Sequence, residues 1–195
     1  MEGLMVKPKK ELNFTEDETE LIQKAKKGNL YSFEILVKRY QKNIYRLAFR
    51  MTKDHDSADD IAQETFVKAY TSIGSFKEEY KFYPWISRIC VNLCINYLKR
   101  KKFTITESEL SPQKLEEKET VKDPMNQMIK DELMQRIDSS INQLPPPFKA
   151  VLILKVYEEL SYEQIAKTLN ISVGTVMSRL YRARERLQKS LKDYL

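Results

Sequence analysis

SYEQIAKTLNISVGTVMSRLYRARERL, residues 161–187, opens as a short amphipathic helix, breaks at an Asn, and restarts as a helix crowded with arginine. Ser161 and Gln164 have the spacing of a capping box, in which the hydroxyl accepts from a free helix-end amide and the side-chain amide reaches back. Ile165, Ala166 and Leu169 then face inward. Asn170 is a residue that tolerates the left-handed conformation a tight turn needs, and Ser172 can cap the helix that follows. At 100° per residue Val173, Val176, Leu180, Ala183, Leu187 and Leu191 fall in a narrow arc, and Thr175, Ser178, Arg179, Arg182, Arg186 and Lys189 gather on the far side. The pattern predicts two helices across a tight turn, the second with a core face and a cationic face.

Such a pair has the geometry of a helix-turn-helix, whose second helix enters the major groove of DNA. Short Thr175 and Ser178 allow close approach, Arg182 can fork onto a guanine, and Arg179, Arg186 and Lys189 can neutralise phosphates. The plainer reading is that the arginines only solvate an exposed helix, the usual fate of a charge run. The rest of the chain has to decide between them.

Working outward, only four glycines and apolar residues recurring every three or four positions predict an all-α protein. Thr15 and Glu18 form a capping box for a first helix that Gly28 stops. A second helix carries the stripe Phe33, Leu36, Tyr40, Ile44, Leu47 and Met51. The segment DHDSADDIAQETFVKAYTSI (54–73) makes a third, burying Ala62, Phe66, Ala69 and Ile73 with Asp59, Asp60, Gln63 and Glu64 left polar, and Gly74 ends it. Pro84 suits the first turn of a fourth, running to about Lys102. Residues 104–124 hold six acidic and three basic residues and few large apolar ones, the composition of a flexible linker. Helices are then expected at about 125–143, 146–157, 161–169 and 172–191. The predicted layout is an extension over 1–14, one small helical domain over 15–103, an acidic linker over 104–124, and a second helical domain over 125–195.

Composition narrows the chemistry. The net charge of +6 over 195 residues favours an anionic partner such as nucleic acid. The longest apolar run, Val151–Leu154, is too short to cross a bilayer. The start, MEGLMVKPKK, leads into ELNFTEDETE instead of an apolar signal core, so a cytosolic protein without membrane insertion is expected. Cys90 and Cys94, four apart on one helix, read as buried thiols. His55 is the single histidine, and no glycine-rich phosphate loop is present. The cluster Asp54, Asp56, Asp59 and Asp60 lacks the Gly and distal Glu of a calcium loop, and acids at a helix start are explained by the macrodipole. No enzyme activity, cofactor or metal is expected.

On the fourth helix Ile86, Ile89, Cys90, Leu93 and Tyr97 make an apolar stripe, and Trp85, Arg88, Asn92, Asn96 and Lys99 share another face; Phe76, Tyr80, Phe82 and Tyr83 sit just upstream. Rings can replace lost base stacking, amides can read Watson–Crick edges, and cations can hold a strand, which is what capture of unpaired DNA requires. The bland alternative leaves most of these rings in the core and the asparagines merely exposed.

SADDIAQETFVKAY (57–70), SFKEEYKFYPWISRICVNLCINYLKR (75–100) and INQLPPPFKAVLILKVYEELSYEQIAKTLNISVGTVMSRLYRARERL (141–187), in that order, resemble a bacterial RNA polymerase sigma factor of the sigma-70 family, extracytoplasmic-function type. The resemblance covers nearly everything from about residue 16 onward. It implies that Asp60, Gln63 and Glu64 dock on the beta-prime clamp helices of core polymerase. It implies that Phe76, Tyr80, Phe82, Trp85, Arg88, Asn92 and Asn96 recognise and melt the minus-10 promoter element, with Asn92 and Asn96 as base-reading residues. Ser178, Tyr181 and Arg182, with Thr175, Arg179 and Arg186 of the basic face, would read the minus-35 duplex. The acidic linker would thread the polymerase cleft, the second domain would meet the beta flap, and an anti-sigma factor is the further partner implied. Three departures stand out. Met177 replaces an Arg of several relatives, implying an altered minus-35 preference; Pro146 and Pro147 replace a polar pair; and KEEYK (77–81) diverges from the commoner Gly-Asp loop that captures a flipped base. The competing classes are a stand-alone helix-turn-helix regulator and a helical adaptor that binds protein and never melts DNA.

Overall fold

The structure, a computed structural model, describes residues 17–77, 79–107 and 124–192, and among these no strand occurs. The first half contains α1 (Glu18–Lys26), α2 (Leu30–Thr52), α3 (His55–Ser72), a single 3-10 turn at Ile73–Ser75, and α4 (Phe82–Glu107). The second half contains α5 (Pro124–Asn142), α6 (Pro146–Val156), α7 (Tyr162–Leu169) and α8 (Val173–Ser190).

α2 is the spine of the first half, and Phe33, Leu36, Ile44, Leu47 and Met51 of its predicted stripe are buried, with Tyr40 half-buried at the edge. Asn29 caps it by accepting from the Ser32 amide at 2.9 Å. Gly28, with φ of +86°, supplies the left-handed turn that separates it from α1. The cap of α1 is Asp17, whose side chain makes no capping bond, and the Thr15 expected to fill that role lies outside the described residues. Glu18 instead accepts from the Tyr40 hydroxyl, which fastens α1 to α2. At α3, Asp54 accepts from the Ser57 amide at 2.7 Å, and its bonds to Ser57 hold its carboxyl below the usual range. α4 begins two residues before Pro84 and continues to Glu107, past the expected end near Lys102, because no Gly or Pro interrupts residues 85–107.

The local signals around Ser161 are met in full. Ser161 Oγ accepts from the Gln164 amide at 3.2 Å while Gln164 Oε1 accepts from the Ser161 amide at 2.7 Å. Asn170 adopts the left-handed conformation at φ of 53°, and Ser172 Oγ accepts from the Thr175 amide at 3.1 Å. Pro145, Pro146 and Pro147 open α6, where fixed φ is favourable and the missing amides would be unpaired anyway.

What the sequence did not announce is that the two halves share one core. Residues 149–154 of α6 are buried without a break, so this helix is covered all round. Leu152 packs with Ile141, Leu144 and Ala183, whereas Ala150, Val151, Ile153 and Leu154 join the cluster built by α1 to α4. α6 rests on α2 and α4, and α7 rests on α4. Covered on both sides, α4 buries Ser87, Val91 and Cys94 in addition to Ile86 and Cys90 of the predicted stripe. Both cysteines are free and buried.

Candidate nucleic-acid interface

The strip on α4 is built by helical spacing. Arg88, Asn92, Asn96 and Lys99 all reach solvent along one side, and Trp85 is half-exposed at its start. Not all of the upstream rings share that exposure. Phe76 and Phe82 are buried, at 3% and 0% accessibility. Phe76 stands edge-on to Trp85 with centroids 5.2 Å apart, and Phe82 lies 5.4 Å from it. In this conformation neither phenyl offers a face to a base; the two brace Trp85 instead, because rings beside a helix start are drawn into the core. The loop carrying Phe76 is tied to α1 by Lys26 Nζ donating to the Phe76 carbonyl at 3.0 Å. Tyr80 is exposed, and Lys167 of α7 sits 5.6 Å over its ring. Tyr83 turns the other way and donates its hydroxyl to Glu158, and burial together with that bond raises its pKa.

On α8, Ser178, Tyr181, Arg182, Arg186 and Lys189 are exposed, with Thr175 and Arg179 partly so. Val176, Leu180 and Ala183 hold the opposite side in the core. Ser178 Oγ donates to the Thr175 carbonyl at 3.1 Å, so the hydroxyl lies close to the helix and leaves space above it. The Arg186 guanidinium lies 5.6 Å from the Phe148 ring, which anchors the end of this face to α6. Neither Arg179 nor Arg182 has an acidic partner among the described residues, so both are open to an anion. Tyr181, 70% exposed, and Met177 add large side chains to the same solvent-facing surface.

A third face lies on α3. Asp60, Gln63 and Glu64 are exposed, Gln63 Nε2 donating to Asp59 at 2.7 Å and Glu64 pairing with Lys68 at 3.3 Å. Val67 and Tyr70 continue this strip toward the C-terminal end and are also exposed, an apolar extension that the acidic reading passed over. Val67, four and three residues after Gln63 and Glu64, with Tyr70 three residues after Val67, was the available signal. A groove of about 460 Å³ between α2 and α3, lined by Val37, Tyr45, Ala62 and Phe66 among others, borders Gln63.

Among the described residues no group of three ligating side chains could hold a metal ion, and no helix is long and apolar enough to cross a membrane. His55 instead pairs with Tyr45 at 2.6 Å and stacks on Phe49 with centroids 4.3 Å apart.

Comparison with known proteins matches both halves. The family model Sigma-70 region 2 covers residues 36–104, and Sigma-70, region 4 covers residues 134–187. The chain is 34% identical to the RNA polymerase sigma-H factor of Pseudomonas aeruginosa, over 92% of this chain and 96% of that protein. It is 37% identical to the ECF RNA polymerase sigma factor SigW of Bacillus subtilis, over 88% and 95%. Among solved structures, the sigma factor RpoE in complex with the anti-sigma factor NepR from Bartonella quintana matches with a TM-score of 0.64 over 84% of this chain and 98% of that one, at 22% identity, a likeness of fold.

Proposed function

Because this chain belongs to the sigma-70 family, in its extracytoplasmic-function branch, we infer that three of its helices divide the work of starting transcription. The chain is a promoter-recognising sigma factor, a DNA-recognition subunit of RNA polymerase and not itself an enzyme. A stand-alone helix-turn-helix regulator is not favoured, since both sigma regions match in order.

In the division of labour we draw, α3 meets the clamp helices of the polymerase through Asp60, Gln63 and Glu64, with Val67 and Tyr70 adding apolar contact. α8 lies in the minus-35 major groove. Thr175, Ser178, Tyr181 and Arg182 stand toward base edges, and Arg179 and Arg186 toward phosphates. α4 holds the melted minus-10 strand. Trp85 and Tyr80 replace lost stacking at about 1 to 3 kcal/mol per base, Asn92 and Asn96 meet base edges, and Arg88 holds the backbone, while Phe76 and Phe82 position Trp85. Region 2 takes residues 15–103, region 4 takes 125–195, and the acidic stretch 104–124 is the connection between them. The chain works in the cytoplasm beside core polymerase, and a polypeptide antagonist, as bound to the RpoE relative, is a further partner.

The observation that carries this reading is the unbroken exposed strip Arg88, Asn92 and Asn96 on a helix that buries Ile86, Cys90, Val91 and Cys94 on its other side. Purified chain and core polymerase on a random promoter library test it. RNA chains should start downstream of one enriched pair of elements, and substitution of Asn92 and Asn96 by Ala should relax the downstream element alone. Enrichment unchanged by that double substitution refutes the assignment to α4.

A further inference from the structure

Elements named for positions 10 and 35 lie about 25 base pairs apart, which at 3.4 Å per pair is about 85 Å of duplex. In the structure α4, with Asn92 and Asn96, packs on α7, and α7 packs on α8, with Ser178 and Arg182. Axes of packed helices are about 8–10 Å apart, so one intervening helix leaves the two reading helices about 20 Å apart. This conformation cannot occupy both elements. We propose that it is a self-closed resting form of the free chain, held by a latch centred on Glu158 that must open before both promoter elements are read. The proposal rests on the assignment of α4 and α8 given above.

Glu158 projects from the turn between α6 and α7, and its side chain is only 9% exposed. It accepts from Arg50 Nη1 of α2 at 2.8 Å and from the Tyr83 hydroxyl of α4. One carboxylate of the second half thus ties down two helices of the first. Arg50 also lies 4.6 Å over the ring of Tyr157, so the neighbouring residue contributes to the same grip. Glu159 follows with φ of 53°, a left-handed conformation uncommon for a residue with a side chain, and it fixes the direction in which Glu158 leaves the turn. A second tie joins Lys53 to Asp138 at 2.9 Å.

The surface between the halves also carries marks of one that opens. Thr168 on α7, a helix that packs on α4, buries a hydroxyl with no hydrogen-bond partner among the described residues. A permanent core rarely tolerates such a group, whereas water would satisfy it on opening. Charged ties mixed with apolar contact are typical of interfaces between domains that move.

The test uses the full chain with donor and acceptor dyes on Asn43→Cys and Gln188→Cys, both exposed positions, in a Cys94→Ala background because opening uncovers that side of α4; Cys90, which faces the Ile44 carbonyl of α2, stays unlabelled. High energy transfer is expected from the free chain, and low transfer once core polymerase and promoter DNA are added. Glu158→Ala should lower the closed-to-open ratio about tenfold or more. Tyr83→Phe, which keeps the ring and removes one donor, should lower it about fivefold. Low transfer in the free wild type, or a distribution that neither substitution moves, overturns the latch. A parallel transcription reaction separates the two ways to fail. A chain that is closed when free yet never initiates refutes the assignment of α4 and α8, whereas one that initiates but is already open when free refutes the latch.

Discussion

The ammonium of Lys149, on α6, is buried against the C-terminal end of α2, where it donates to the Met51 carbonyl at 2.7 Å. Asn142 Oδ1 accepts a second bond at 2.8 Å. The last carbonyls of a helix carry a partial negative charge and lack intrahelical partners, so a cation placed there satisfies both needs. The location is costly all the same. Burial, and then the charge of nearby Lys53, lower the Lys149 pKa from 10.5 to about 8.

That depression gives closure a pH dependence with a definite sign. In the open form the lysine titrates near its ordinary value, so closing favours loss of its proton. Below pH 8 both forms are protonated and the penalty on closure is complete; it is removed as pH rises from about 8 toward 10.5. Between pH 7 and 9 the closed-to-open ratio should therefore rise about tenfold. The raised pKa of Tyr83 opposes closure only above pH 10, beyond that window. Energy transfer measured across the window in wild type and in Lys149→Met checks this. The variant should be nearly flat, and the difference between the two curves removes any part played by Cys90. Equal slopes would exclude Lys149 as the titrating group.

Lys149 also shows where sequence reasoning stops. It follows three prolines in a helix start and reads as a surface lysine, because its partner Met51 lies 98 residues away. Ser161, Gln164, Asn170 and Ser172 were legible because each acts on an amide or a turn within a few residues of itself. The second buried side of α4, with Ser87, Val91 and Cys94, was not, since periodicity reveals a stripe but not a later element docking on its flank. Phe76 and Phe82 illustrate the same limit at the site. A cluster of rings beside Asn and Arg has the composition of a base-capturing surface, yet only the packing separates Trp85, which reaches solvent, from the two phenyls that support it.

Asn92→Ala should leave initial promoter binding within about twofold while reducing strand opening. Asn92 is exposed on α4 and contributes nothing to the core, so the fold is unaffected. Its amide can meet a base edge only after the base leaves the duplex. Permanganate reactivity of unpaired thymines, compared with gel-shift of the closed complex, gives the two quantities. Equal loss in both would place Asn92 on duplex DNA.

The two arginines of α8 should behave differently. Arg182→Ala is expected to cost about 1–3 kcal/mol at one base position and to relax choice there. Arg179→Ala, at a partly buried position nearer the core face, is expected to weaken all sequences alike and to reduce the salt dependence of binding by about one phosphate contact. Competition binding of the holoenzyme to a set of single-position minus-35 variants, repeated at two salt concentrations, distinguishes them. Uniform weakening by Arg182→Ala would reassign that residue to the backbone.

Glu64→Lys tests the polymerase-facing surface. Glu64 is exposed on α3 and among the described residues pairs only with Lys68, one turn away at 3.3 Å. Reversing its charge exchanges a weak attraction for a weak repulsion along the helix, a change of about 0.5 to 1 kcal/mol that leaves the fold intact. At a surface complementary to Asp60 and Glu64 the same reversal sets like charges against each other where both are being desolvated, which costs several kcal/mol. Association with core polymerase should therefore fall at least a hundredfold in a native gel or by fluorescence anisotropy, with the melting temperature moving by only about 2–4 °C. Val67→Ala, in the apolar extension of that strip, should weaken association about tenfold and leave the charge balance untouched. Normal association of Glu64→Lys would move the contact off α3 altogether, and a loss confined to Val67→Ala would place it on the apolar end of the strip.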